Sequence, residues 1–177
     1  MLHRTVLLLS FAALAFAGLP PGHPLADVPI SQPRGKKLDL KQYRGKALVL
    51  AIISTTCKDC GTTVDLLKII QKENGPRGLQ VVVAAGDEDA ATAIVAFAAA
   101  HKPNFPLGYL DRAGIIRIAN IGPGVRPFVP ILLFIDAKGA VRVQLFGDDP
   151  LLKKPETIIR ATVRELLKEP GITGAKK

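Results

Sequence analysis

The chain has no tryptophan, one methionine, two cysteines and three histidines among 177 residues. Each scarcity excludes something. Two cysteines cannot build the multi-bridge framework that holds small secreted domains together. Structural zinc takes four ligands from closely spaced cysteines and histidines, and His23 and His101 lie far from the cysteines in unrelated contexts. Aromatics make up only 5% of residues, and lysines and arginines are scattered, often beside acids. A nucleic-acid-binding face needs clustered cations with aromatics on which bases stack, so the formal charge of +9 is read as a solvated basic surface. No apolar run reaches the about 20 residues of a comfortable membrane span. The Gly122-Pro123-Gly124 turn lacks a following Gly-Lys-Ser/Thr, and its proline has no N–H to offer a phosphate. Asp148-Asp149 beside Pro150 reads as a solvated turn rather than an acid–base pair. There is no internal repeat.

What remains is ordinary globular composition, 48% hydrophobic and 22% charged, in a length suited to one domain. The first residues differ. Arg4 supplies a positive charge, Val6 to Ala17 is almost wholly apolar, and Ala15-Phe16-Ala17 offers a small-x-small site before Gly18. This predicts a secretory signal peptide over residues 1–17, cleaved near Ala17-Gly18, and a periplasmic or otherwise extracytoplasmic mature protein. An uncleaved N-terminal anchor is the alternative. No cysteine lies near the cut, which excludes a lipid-modified N-terminus. Cleavage lowers the charge from +9 to +8, because Arg4 is the one charged side chain removed.

Residues 18–37 are rich in proline and glycine and read as an irregular lead-in. Ala47–Ile53 is a continuous apolar run that fits a strand buried on both faces. Helical spacing follows from Cys57 to Asn74 until Gly75-Pro76-Arg77-Gly78 stops it. Leu79–Ala84 predicts a second buried strand. Asp87 is the expected N-cap of a helix over 88–100 that ends before Pro103. A short strand (105–110), a short helix (111–119) and the loop 122–129 come next. Pro130–Asp136 and Val141–Phe146 predict a hairpin through Ala137-Lys138-Gly139. A last helix opens at Pro155-Glu156 and runs to about Lys168. The order is β-α-β-α-β-α-β-β-α over residues 38–168, with 169–177 expected to fray.

Both cysteines sit in Ala51-Ile52-Ile53-Ser54-Thr55-Thr56-Cys57-Lys58-Asp59-Cys60-Gly61. In an oxidising compartment they can form a disulfide, but one closing so small a loop removes little unfolded-state entropy. A Cys57–Cys60 disulfide is a poor staple and a reasonable chemical device. Cys57 falls where a buried strand ends and a helix begins, and N–H groups at such a terminus stabilise a thiolate. Cys60 follows one turn later and deeper. Cys57 is therefore the expected nucleophile and Cys60 the resolving thiol. Between them, Lys58 favours a thiolate and Asp59 opposes it.

A strand, a C-x-x-C opening a helix, and a later proline beginning a strand–hairpin–helix ending together resemble the thioredoxin fold. Gly75-Pro-Arg-Gly-Leu-Gln-Val-Val-Val, Asn104-Phe-Pro-Leu107 and Val129-Pro-Ile-Leu-Leu-Phe-Ile-Asp-Ala-Lys-Gly139, with the extra helix near 88–100, resemble the TlpA/ResA type within the AhpC/TSA–thioredoxin superfamily. The resemblance covers residues 38–168. It implies an α/β fold with a central mixed sheet flanked by helices and one inserted helix. It also implies thiol–disulfide exchange at Cys57 and Cys60 and a cis Pro130. The backbone of Val129 would pair with a substrate polypeptide. No cofactor or metal is expected, because the electrons reside in the cysteine pair. The implied partners are cysteine-containing exported proteins and a membrane or periplasmic electron partner, met by a monomer. The chain departs from the family at Thr56, where tryptophan is usual, and at Ala51 and Thr63, where relatives carry an acid able to take the deeper thiol's proton.

Three rival readings stay open on the residues alone. A thiolate pair can hold Cu(I), although copper-delivering relatives space their cysteines more widely and add a histidine near the hairpin. A peroxiredoxin-like peroxidase shares the fold, but its proline and threonine upstream of the reactive cysteine are Leu50 and Ser54 here. A binding module that keeps the fold and a structural disulfide is the third.

Overall fold

A computed structural model describes residues 22–174. The expected signal peptide lies outside the described residues. Among the described residues, eight strands, numbered in chain order, form one mixed sheet in the order β1-β8-β7-β4-β5-β6-β2-β3. Its centre is β4 (Ala47–Ile53), parallel to β5 (Leu79–Ala85) on one side and antiparallel to β7 (Ile131–Ile135) on the other. β6 (Leu107–Tyr109) extends the parallel part, and β8 (Ala140–Leu145) completes the hairpin.

Every residue of β4 is buried, because alternate side chains enter two separate cores. Val49, Ala51 and Ile53 face helices α1 (Lys58–Asn74), α2 (Ala90–His101) and α4 (Pro155–Leu166), meeting Val64, Leu67, Ile94, Phe97 and Ile159. Leu48, Leu50 and Ile52 face the opposite layer, where α3 (Arg112–Ile118) contributes Ile118. A chain with helices on both faces of the sheet needs apolar strands throughout, which is why these strands were readable as unbroken runs.

The lead-in differs from expectation. Residues 23–38 supply β1 (His23–Pro24), which pairs with β8, β2 (Ile30–Ser31), which pairs with β6, and β3 (Lys37–Leu38), which pairs with β2. Val28, Ile30 and Leu38 are buried in the second core. Two-residue strands hold by backbone hydrogen bonds and are too short to carry an alternating pattern. The tail is also tied down as far as it is described. Thr173 N–H donates to the Gly45 carbonyl at 2.6 Å, and Ile172 packs on the first core.

Candidate active site

The site grows from the junction of β4 with α1. The strand ends at Ile53, and the turn Ser54-Thr55-Thr56 carries the chain to Cys57, the N-cap of α1. At that position Cys57 Sγ accepts the Cys60 N–H at 3.3 Å, so a sulfur stands where a capping oxygen commonly does. Cys57 is half-buried and opens to solvent, whereas Cys60, one turn in, is fully buried. Both are free thiols, the reduced form of the pair. Burial pushes the Cys60 thiol far above its ordinary range, and its hydrogen bond with Cys57 adds to the shift against the opposing pull of the Ser54 backbone.

The turn before Cys57 is held from a distance. Asp87 Oδ2 accepts the Thr55 N–H at 2.7 Å. The sequence predicts Asp87 as a helix N-cap, but α2 begins later, with Asp89 at its cap making no side-chain bond. Desolvation works against the charge of Asp87, yet hydrogen bonds from Ser54 and Thr55 outweigh it and hold the carboxyl below its usual range. Within the turn, the Ser54 and Thr56 hydroxyls lie 3.0 Å apart, and Ser54 Oγ also accepts the Thr56 N–H at 3.3 Å.

Two clefts flank the pair. One, of about 240 Å³, is lined by Asp59, Thr62, Thr63, Pro130, Gly147 and Leu152. The Val129–Pro130 peptide is cis. Backbone packs against backbone here. Gly147 N–H donates to the Phe128 carbonyl at 2.8 Å, and a Cβ on Gly147 would lie 2.3 Å from the Val129 oxygen. Phe128 stands 61% exposed beside the cis peptide.

The other cleft, of about 340 Å³, is lined by residues that include Thr55, Thr56, Cys57, Lys58, Gly61, Phe97 and His101. His101 closes α2 and its ring turns to α1, stacking on Phe97 with centroids 4.3 Å apart and placing Nδ1 3.2 Å from Asp65 Oδ2. Gly61 makes room for it, since a Cβ there would come within 2.9 Å of the ring. Lys58 and Asp59 thus border different clefts, and Thr56 is exposed. Ala51 and Thr63 are both buried. The contacts of Asp65, Asp87 and His101 escaped sequence reading because each spans 32 residues or more. Gly61, inside a helix where glycine is costly, was the one local sign.

Sheet order, the helix-capping cysteine pair and the cis proline define a thioredoxin-like protein. The chain belongs to the AhpC/TSA family, whose pattern matches residues 21–144. It is 26% identical over 114 residues to the thiol-disulfide oxidoreductase ResA of Bacillus anthracis, covering 64% of this chain and 62% of that one. The chain therefore spans about three fifths of that relative's length. Among solved structures, a thioredoxin-family thiol:disulfide interchange protein from Chlorobium tepidum TLS superposes with a TM-score of 0.69 at 19% identity, covering 84% of this chain and 98% of the other. A secreted Mycobacterium tuberculosis disulfide oxidoreductase homologous to E. coli DsbE gives 0.59 at 21% identity, covering 79% and 96%.

Proposed function

We propose that the protein is a thiol–disulfide oxidoreductase working outside the cytoplasm on cysteine-containing exported proteins, with a membrane or periplasmic electron partner. The observation that carries this reading is the asymmetry of the pair, an accessible sulfur at a helix N-cap backed by a fully buried one. In the reducing direction, the Cys57 thiolate attacks a substrate disulfide, that S–S bond breaks and one substrate thiol leaves. Cys60 then loses its proton and attacks Cys57 Sγ, releasing the second thiol and leaving the Cys57–Cys60 disulfide. Its raised pKa keeps Cys60 protonated until the mixed disulfide has formed. The exposed Phe128 beside Val129 and Pro130 favours a polypeptide substrate laid along the cis peptide, with Val129 pairing as a strand would. The relatives' names and the secretory pattern of residues 1–17 support the location.

The test is a mixed-disulfide trap. Cys60→Ser should accumulate covalent adducts on Cys57 in an extract of exported proteins, and Cys57→Ser should abolish both adducts and turnover. A Cys57 that forms no adduct and reacts no faster than a free thiol would return the protein to a binding role. Peroxide turnover without any disulfide substrate would replace this reading with a peroxidase.

A further inference from the structure

Thiol exchange moves protons as well as electrons. Before Cys57 attacks, its thiol must lose a proton, and the sulfur expelled from the substrate must gain one. Ala51 and Thr63, where the resemblance led to an expected acid, are buried and carry none. On the side of α1 where the Cys57 sulfur opens, however, the cleft ends in an oriented imidazole.

Three neighbours meet that ring and a fourth residue braces them. Phe97 stacks on one face. Asp65 lies 3.2 Å from Nδ1, and because an ionised carboxylate can only accept, Nδ1 carries the hydrogen and the neutral ring keeps its lone pair on Nε2. Lys68 ties the assembly together, donating to the His101 carbonyl and lying 3.3 Å from Asp65 Oδ1. Gly61 receives the Cε1–Nε2 edge, since a Cβ built there would lie 2.9 Å from Cε1 and 3.2 Å from Nε2. Gly61 lies in the first turn of the helix that Cys57 caps, and Cys57, Gly61 and His101 line one cleft. The cleft between them, about 340 Å³, has room for a substrate sulfur.

We propose that His101 is the proton carrier of this exchange, with Asp65 as its positioning residue. The inference rests on the oxidoreductase reading above. Nε2 takes the Cys57 proton through water in the cleft that both residues line, giving an imidazolium that Asp65 stabilises. The Cys57 thiolate attacks the near sulfur of the substrate disulfide, a new S–S bond forms and the old one breaks. The departing thiolate, lying in the cleft, takes the proton back from Nε2. His101 ends neutral, and the proton has passed from Cys57 to the first thiol product.

A carrier of this kind matters most when the leaving thiol is a poor acid. The experiment compares two small disulfides on the anaerobically reduced protein: bis(hydroxyethyl) disulfide, whose leaving thiol is weakly acidic, and an aromatic nitrothiobenzoate disulfide, whose leaving thiol is strongly acidic. His101→Gln should slow the first by about 100-fold, in the usual range for a general acid, and the second by less than about tenfold. Asp65→Asn should show the same selectivity at smaller size. Equal losses on both disulfides, or no loss on either, would overturn the proposal. Should His101→Gln fail to fold by circular dichroism, Asp65→Asn and Gly61→Ala carry the same readout. Wild-type protein that attacks neither disulfide faster than free cysteine would instead refute the oxidoreductase reading, a result distinct from a loss of selectivity.

Discussion

The two flanks of the cysteine turn are built from different materials. On the Pro130 flank the contacts are between main chains: Gly147 against the Val129 carbonyl, and its N–H on the Phe128 carbonyl. On the His101 flank they are mainly between side chains, the imidazole stacking on a phenyl group and meeting a carboxylate that an ammonium pairs in turn. Main-chain packing holds a shape and resists change. Side-chain packing can carry charge and protons, and can be replaced without moving the sheet. A molecule that must both receive a polypeptide and handle protons can divide the work this way.

The same substitution made on each flank tests that division. Gly147→Ala would put a Cβ 2.3 Å from a backbone oxygen, and neither partner can swing aside. It should cost about 1–3 kcal/mol in urea unfolding, the range for overpacking, and lower exchange with every disulfide alike. Gly61→Ala also meets an atom within 2.9 Å, but that atom belongs to the His101 ring, which can tilt off Phe97. Its stability cost should be offset by the roughly 1 kcal/mol that alanine gains over glycine inside a helix. Exchange should suffer selectively, with alkyl disulfides hit hardest. If Gly61→Ala proved the more destabilising, or Gly147→Ala the more selective, the contrast between the flanks would be broken.

Much of the frame between these flanks was legible in the residues. β4, β5 and β7 announce themselves as apolar runs because both their faces are buried. Cys57 as helix start followed from the change of period after Ile53, and Pro130 from its family setting. What stayed hidden depends on where one element lands on another. Nothing around His101 says that the end of α2 meets Gly61, and nothing around Asp87 says that its carboxylate crosses to Thr55. Periodicity describes the inside of an element. Neither could it find strands of two residues such as β1 to β3, whose partners are backbone groups.

Asp87 belongs to neither flank but holds the turn that both share, so its removal should affect both to a similar degree. Asp87→Ala leaves the Thr55 N–H without its partner and should cost about 1 kcal/mol, the lower part of the range for a partly exposed charged hydrogen bond. The sign with pH follows from its lowered pKa. The contribution is present above the unfolded carboxyl value of about 3.9 and is lost as pH falls through the lower folded value. Unfolding curves of wild type and Asp87→Ala should therefore converge in acid. A gap between them that stays constant down to about pH 2, well below the unfolded carboxyl value, would show that Asp87 does not act through the shared turn. Exchange rates that change on one flank's substrates alone would show the same.

The smallest effect lies beneath both flanks, at Cys60. Its folded pKa is raised chiefly by burial, so between the unfolded value of about 8.5 and the folded one the native state retains a proton that the unfolded state has released. Stability of the reduced protein should be fully present below about pH 8.5 and decline above it, by about 1 kcal/mol at about pH 9.5, the limit for one proton being about 1.36 kcal/mol per pH unit. Cys60→Ala removes the titrating group, and its stability should have a shallower alkaline slope than wild type under the same reducing conditions. His101→Gln should leave that slope unchanged, because the proton held by Cys60 is buried away from the cleft that His101 closes. A slope that changed with His101 would join the two sulfurs in one proton circuit and erase the division between surface flank and buried thiol.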